Sequence, residues 1–440
     1  MGISHKLLHS ILLPPLRKFR WAGFFLILLF TASCNTVDPP PDKTVLTLTL
    51  EDVSCTEAWI TLTTNNLQLP AALNLIKDNT ITKTINLQTA DTLLYIDSLL
   101  PNQTYNFKLS GIGNPASGIN SNELSVSTMD TTSHNFTFET WTFGGTAGSS
   151  TLYDVAIVND SCIWAVGEIY VADTSAIGYT MYNAVYWDGS EWTLKRITVE
   201  FRGFQITPPL EGAFAFSNTD IWVVGSLPIH GDGENWVMYD LRTTVDPNLS
   251  LSEAWGANSD YMYFVGSNGS IAHKQNNNWS KIESGATTRI ADIWGIIEGG
   301  SGYNKYLAVE DIMLRLDDNN QLAMINAEAG RNIISIWGVS NRLIYTAGGD
   351  GVVLYKNSMW ERISSPDVNN IYRIKGENHN NVFGLTALRT VLHFNGYSWS
   401  DIYESTNNSL LRLDVKFNLV VSAGWQGGKA VIILGRRNVN

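Results

Sequence analysis

From about residue 160 onward the sequence keeps returning to one phrase, a short apolar run closed by a small or turn-forming residue. It reads Ile163-Trp-Ala-Val-Gly167, Ile221-Trp-Val-Val-Gly225, Met262-Tyr-Phe-Val-Gly266, Lys305-Tyr-Leu-Ala-Val309, Ile344-Tyr-Thr-Ala-Gly348, Val382-Phe-Gly-Leu-Thr386 and, more weakly, Val420-Val-Ser-Ala-Gly424. The closing positions lie 58, 41, 43, 39, 38 and 38 residues apart. Upstream, Glu253-Ala-Trp-Gly256, Asp292-Ile-Trp-Gly295 and Ser335-Ile-Trp-Gly338 recur. Downstream come hairpin-like stretches such as Ala184-Val-Tyr-Trp-Asp-Gly-Ser-Glu-Trp192 and Val353-Leu-Tyr-Lys-Asn-Ser-Met-Trp360. Each unit reads as four short strands.

A self-similar unit of this length with four strands is the sequence signature of a β-propeller blade. A β-helix repeats faster, and helical repeats carry a helical apolar period that is missing here. The seventh unit ends at Ala430-Val-Ile-Ile-Leu434 and lacks the Trp-bearing outer strand of the others. Glu139-Thr-Trp141-Thr-Phe143, ahead of the first unit, resembles Glu191-Trp192-Thr-Leu194 and supplies the missing strand. That arrangement makes seven blades over residues 137–437 and leaves no long sheet edge open. Eight blades would need a further repeat in the long first interval. The pattern resembles the bacterial propellers of Asp-box, kelch and photosystem-assembly-factor type. That likeness concerns the fold, and propellers host unrelated functions.

Composition agrees with an all-β chain. Only 16% of the 440 residues are charged, while 15 Trp, 17 Tyr and 36 Gly suit strands and tight turns. Hydrophobic residues, 44%, are enough for a sizeable core. The formal charge of −12 argues against nucleic acid as a partner, since a phosphate-binding surface needs clustered Lys and Arg.

Residues 1–33 carry Lys6, Arg17, Lys18 and Arg20, no acidic residue, and an apolar run from Trp21 to Ala32, the layout of a secretory signal. Thr31-Ala-Ser-Cys34 resembles the lipobox of bacterial lipoproteins, although Thr31 stands where Leu is usual. The resemblance implies acylation of Cys34, a membrane partner through that lipid anchor only, and a bacterial cell-envelope location, outer membrane or cell surface. Residues 34–43, with Pro39-Pro-Pro41, read as a stiff tether.

Residues 44–130 alternate apolar and polar residues in short runs, from Val45-Leu-Thr-Leu-Thr-Leu50 to Leu124-Ser-Val126, as in an antiparallel sandwich. Leu99-Leu-Pro101-Asn-Gln-Thr-Tyr105 is similar to the tyrosine-corner stretch of fibronectin type III domains. That likeness implies a Tyr105 hydroxyl bonded to backbone just upstream, and a spacer or binding role for the module. The fold expected is therefore a fibronectin type III-like sandwich followed by a propeller. Cys55 and Cys162 read as small buried thiols, and no Cys-x-x-Cys pair offers a zinc site.

Little in the chain points to chemistry. Trp187-Asp-Gly-Ser-Glu-Trp192 and Gly231-Asp-Gly-Glu-Asn-Trp236 lack the serine and spacing of sialidase boxes. No His-Glu-x-x-His, Gly-x-Ser-x-Gly or phosphate-cradling loop occurs. No catalytic residue, metal site or cofactor is expected. His273 and His393 share a repeat position with Tyr186 and Tyr355, which reads as blade hydrogen bonding, whereas His230 reads as a loop residue. The recurring Trp192, Trp279, Trp360 and Trp399 read as packing between blades.

Two ligand surfaces are expected. Loops between second and third strands open on one face, and two are long: Glu168 to Asn183, with Tyr170, Asp173, Tyr179 and Tyr182, and Ser226 to Asn235, with His230, Asp232 and Glu234. The equivalent loop of the seventh unit holds Trp425. Counting back thirteen residues from each closing position gives Asp154, Gly212, Glu253, Ser335 and Arg373, with Asp292 reached by allowing for an insertion in the fourth unit and Arg412 one residue nearer. Those residues begin the innermost strands and would ring one lip of the central channel. The expected function is a non-enzymatic module binding a protein or glycan at the cell surface. Alternatives are a polysaccharide hydrolase or lyase on the same face, using Asp154, Glu253 and Asp292, or an assembly factor for envelope complexes.

Overall fold

The computed structural model describes residues 43–298, 302–325, 330–363, 371–387 and 389–438. The leader expected over residues 1–33, the expected acylation site Cys34 and the expected tether up to residue 42 lie outside them. No helix among the described residues is long and apolar enough to cross a membrane.

Seven antiparallel sheets of four strands follow one another from the middle of the chain to its end. Their inner strands, which define blades 1 to 7, are Thr151–Asn159, Gly212–Ser217, Leu251–Asn258, Ile290–Glu298, Ser335–Ser340, Ile371–Asn378 and Ser409–Lys416. Each inner strand packs against the next, and that of blade 7 against that of blade 1, so the ring is closed. The fourth strand of blade 7 is Phe136–Phe143, paired antiparallel with Lys429–Arg437 in a register that sets Trp141 opposite Ile432. Lys429–Arg437 is fully buried from Ala430 to Leu434, so its free edge needs a partner strand. Trp141 also packs 5.6 Å from Trp187 of blade 1, which seals the seam. The chain is a seven-bladed β-propeller.

The 58-residue first interval contains no eighth blade. It is filled by a long hairpin of blade 1, Cys162–Ala172 with Tyr179–Trp187, and by a separate two-stranded ribbon, Val199–Phe201 with Phe204–Ile206. The glycine that closes the repeated phrase has a steric cause. A Cβ on Gly266 would lie 2.1 Å from the Ser250 carbonyl oxygen, and one on Gly424 would lie 1.9 Å from that of Ser409.

Ahead of the ring, two sheets form a sandwich. One orders Val45–Val53, Ala58–Asn65 and Asp91–Ile96. The other orders Thr80–Leu87, Ala71–Lys77, Thr104–Ile112 and Leu124–Ser127. Alternate residues (Leu46, Leu48, Ile60, Leu62, Leu73, Leu75, Phe107, Leu109) make its core. The Tyr105 hydroxyl accepts a hydrogen bond from the Leu100 N–H at 2.9 Å, the corner geometry its motif implies.

The sandwich is docked on the ring. Trp59 points out of the sandwich core, is 1% exposed, and donates from Nε1 to Asn357 Oδ1 at 2.8 Å. Glu57 pairs with Lys356, Glu51 with Arg342, and Asp52 with His379 at 3.1 Å. The connecting segment is also tied down, for the Thr132 N–H donates to the Asn395 carbonyl at 3.2 Å. Cys55 is buried at this junction and Cys162 in blade 1, and both are free thiols. The ring residues that hold the sandwich and the connecting segment (Arg342, Lys356, Asn357, His379 and Asn395) lie in or beside turns between first and second or third and fourth strands of blades 5 and 6. The sandwich thus covers part of one face of the ring.

Candidate functional site

The opposite face carries a cup of about 870 Å³, lined by Tyr153, Glu168, Glu211, Arg289, Ile334, Tyr372, Arg373, Arg389, Arg412 and Trp425, among others. Beneath it, the inner strands enclose a channel of about 600 Å³ lined by Asp154, Glu253, Asp292, Lys375 and Asp414. Arg373 and Arg412 border both spaces.

A local backbone feature divides the two. In blades 1, 3, 4, 6 and 7 the pairing of first and second strands slips by one residue just where the inner strand begins. Tyr153, Ser252, Ala291, Tyr372 and Leu411 are left unpaired there, and a bulge of this kind re-aims the side chains around it. Of these, Tyr153, Tyr372 and Leu411 line the cup, while the residues just after Tyr153, Ser252 and Ala291 (Asp154, Glu253 and Asp292) line the channel.

The channel carboxylates are engaged. Asp154 Oδ2 accepts the Ala213 N–H of blade 2 at 2.9 Å. Asp292 Oδ2 accepts the Ser335 hydroxyl at 2.8 Å and the Ile336 N–H of blade 5 at 3.0 Å. Asp414 Oδ2 accepts the Ile157 N–H of blade 1 at 2.8 Å. Each of these contacts ties one blade to the next. Two ion pairs run across the ring: Arg412 of blade 7 with Glu253 of blade 3, and Lys375 of blade 6 with Asp292 of blade 4, the latter at 3.8 Å. Burial pushes the Asp154 carboxyl up to about 8, aided by the nearby Glu253 charge and opposed by Arg412. Burial also raises Glu253, against the pull of Arg412.

The residues reached by the thirteen-residue count fall in two places. Arg373 and Arg412 reach the mouth, whereas Asp154, Glu253 and Asp292 sit inside the channel at 6–8% exposure. Gly212 and Ser335 belong to the same inner-strand positions and stay in the sheets.

The expected loop of blade 1 is a hairpin. Ile169-Tyr-Val171 pairs with Thr180-Met-Tyr182, because β-branched and aromatic residues on both sides continue the strands. The Tyr170 and Tyr153 hydroxyls both donate to Glu168, at 2.9 and 2.7 Å. Tyr179 packs edge-on against Tyr170, Asp173 accepts the Ser175 N–H in the turn at the tip, and Tyr182 packs on the apolar seam between blades 7 and 1. Trp425 is the last residue but one of the second strand of blade 7, Leu419–Gln426, and is 41% exposed at the cup.

The blade 2 expectation is overturned. His230 lies in the third strand, Pro228–Gly231, paired with Trp222. Asp232 and Glu234 follow in the turn to the fourth strand, on the face that the sandwich shares, away from Tyr170 and Trp425. Pro228 pairs directly with Val224, so only a three-residue turn separates the second and third strands there. His230 stacks on Trp222 at 4.3 Å, His273 on Tyr263 at 4.3 Å, and His393 lies 4.6 Å from Phe383. All three fill one repeat position by ring packing, and His230 and His393 also hydrogen-bond within their blades, to Asp220 at 2.9 Å and to Asn381 at 3.1 Å. The recurring tryptophans do pack between blades: Trp279 lies 5.0 Å from Tyr239 of blade 2, Trp192 lies 6.1 Å from Trp141 of blade 7, and Trp360 and Trp399 join apolar clusters that span blades 4 and 5 and blades 5 and 6.

Sequence reasoning missed Tyr153, Glu211, Ile334 and Tyr372. They stand one residue before the counted lip positions, and at Tyr153 and Tyr372 the bulge is what turns that one-residue shift into a different lining.

No protein-family model matches this chain, and no curated protein matches it. Solved structures do. YCF48 bound to a D1 peptide superposes with a TM-score of 0.51 at 12% identity, over 69% of this chain and 97% of that one. YCF48 from Cyanidioschyzon merolae gives 0.48 at 15% identity, over 68% and 99%. The extracellular domain of a putative hybrid two-component system from B. thetaiotaomicron gives 0.49 at 14%, covering 67% of this chain and 42% of that one. At such identities the likeness is one of fold, that of a β-propeller.

Proposed function

We propose that this chain is an exported, lipid-anchored binding module whose propeller holds a protein partner in its cup and performs no chemistry on it. One observation carries the reading. The cup is lined by arginines and exposed aromatic rings on the face opposite the docked sandwich, while the channel carboxylates are engaged by neighbouring blades. The hydrolase alternative, written on Asp154, Glu253 and Asp292, would need those carboxylates free at the substrate. The peptide named with YCF48 is consistent with a propeller holding a polypeptide segment.

Acylation at Cys34 and a cell-envelope location rest on the leader and lipobox. The strand order of the two sheets and the Tyr105–Leu100 bond support a fibronectin type III-like module. A glycan is the second reading, favoured by the exposed faces of Tyr372 and Trp425, 43% and 41%.

The test is site-specific photo-crosslinking in the native envelope. A crosslinker at Tyr372 or Trp425 is expected to give a discrete protein adduct, and one at the exposed Val237 of blade 2 none. Equal adducts from both faces, or none from the cup, would overturn the protein reading, and an array-bound glycan displaced by Trp425→Ala would replace it.

A further inference from the structure

Charge is not spread evenly around the cup. Arg289, just before the inner strand of blade 4, is exposed, and its Nη2 donates only to the Ser252 hydroxyl at 3.0 Å. Arg389, beside the third strand of blade 6, donates to the Thr406 carbonyl at 3.4 Å. Arg373, at the start of the inner strand of blade 6, donates to the carbonyls of Ile334 and Tyr372, and its buried Nε has no partner. Among the described residues none of the three is paired with a carboxylate, unlike Arg202, Arg331, Arg342 and Arg412. Three guanidinium groups with unused donors thus converge on one wall, in a chain whose formal charge is −12.

The facing wall, from blades 1 and 2, carries Glu168 and Glu211. Glu168 is already fixed by the hydroxyls of Tyr153 and Tyr170, so little side-chain entropy is lost when it meets a cation. Trp425 of blade 7 stands between the two walls and Tyr372 of blade 6 beside the arginines, both with their rings exposed. The Arg412–Glu253 pair bars the channel below, which keeps a ligand lying across the cup.

We propose that the cup reads polarity. It takes a peptide segment that presents a carboxylate to Arg289, Arg373 and Arg389, a basic side chain to Glu168 and Glu211, and an aromatic or apolar residue to Tyr372 and Trp425. This rests on the binding reading above and specifies the ligand. Guanidinium groups match carboxylates through paired N–H donors, and opposed patches set orientation as well as attraction. The cup volume is in the ordinary range for a ligand site.

The experiment measures fluorescence anisotropy of labelled peptides on the folded protein at low salt. The probe has one glutamate and one lysine flanking a tyrosine, with glycine spacers of varied length. Its relatives carry glutamine in place of the glutamate, the lysine, or both. Loss of the glutamate is expected to weaken binding roughly tenfold, as for a charge-assisted hydrogen bond, and loss of the lysine somewhat less. The double variant Arg289→Gln/Arg389→Gln should erase the first difference alone, and Glu168→Gln the second alone. Lys83→Gln, on the sandwich, should change neither. Equal binding by all four peptides, or a preference that survives the arginine variant, overturns the proposal. Failure of every probe while the crosslinks from Tyr372 and Trp425 persist overturns the polarity assignment and leaves the binding reading standing. Failure of both overturns both.

Discussion

Arg412 and Glu253 meet across the middle of the ring: a guanidinium from blade 7 and a carboxylate from blade 3 form an ion pair, their side chains 13% and 11% exposed. The pair forms the floor between cup and channel. Removing one partner would leave the other charge buried and unpaired, so Arg412→Ala is expected to cost about 3–5 kcal/mol, while Arg412→Met/Glu253→Met recovers most of it. Urea denaturation of the two variants is the check. A loss under about 1 kcal/mol for Arg412→Ala would mean the charges are solvated rather than crossing the ring.

Stability should fall on both sides of neutrality, for opposite reasons. Burial, with Arg437 and His134, drives His393 down to about 2, and burial, with Lys305, drives His273 to about 4. Both lie below the ordinary 6.5, so the stability of keeping them neutral is present above that pH and is lost as pH falls from 6.5 through 4. The slope approaches about 1.4 kcal/mol per pH unit for each group. Asp154 works the other way. Raised from 3.8 to about 8, it contributes fully at low pH and loses that contribution as pH rises through 8. In Asp154→Asn the amide oxygen still accepts the Ala213 N–H, and no proton is left to titrate. Urea midpoints for that variant should therefore stay flat between pH 6.5 and 8 where the parent declines, and a parallel decline in both would refute the assignment.

Trp59→Ala at the junction removes a ring that is 1% exposed, and a deletion of that kind costs about 3–5 kcal/mol. The loss should appear as undocking. Calorimetry is expected to split into a sandwich and a propeller transition, and small-angle scattering to show a larger radius of gyration. An unsplit transition with an unchanged midpoint would show that Trp59 does not hold the two together.

Cys55 reports the same event chemically. Burial, with the charge of Asp130 behind it, pushes its thiol up to about 11, and its Sγ lies 3.2 Å from the Asp130 carbonyl. The folded protein should resist alkylation by iodoacetamide at pH 8, and the Trp59→Ala variant should react at Cys55 by mass spectrometry. Equal labelling of both would place the thiol outside the junction.

Strand content, repeat register and the closing role of Trp141 are legible because each is encoded locally, in alternation, glycine placement and likeness to neighbouring units. Tyr105 belongs with them, since its partner is five residues away. His230, Asp232 and Glu234 were misplaced because a blade's two faces differ only in which turn is long. Pro228 pairing with Val224 decided that, and no local signal marks it.

The amino-acid order alone determined that seven small sheets would close into a ring, because a buried apolar strand with an open edge must find the one segment able to cover it. Only tertiary structure decided which side chains share the cup. Tyr153, Arg289, Tyr372 and Trp425 come from four blades, and at Tyr153 a one-residue slip in strand pairing separates the side chain that lines the cup from Asp154, which lines the channel. A period of two makes such a slip reverse the aim of a side chain without changing a residue, so the sequence carries no trace of it.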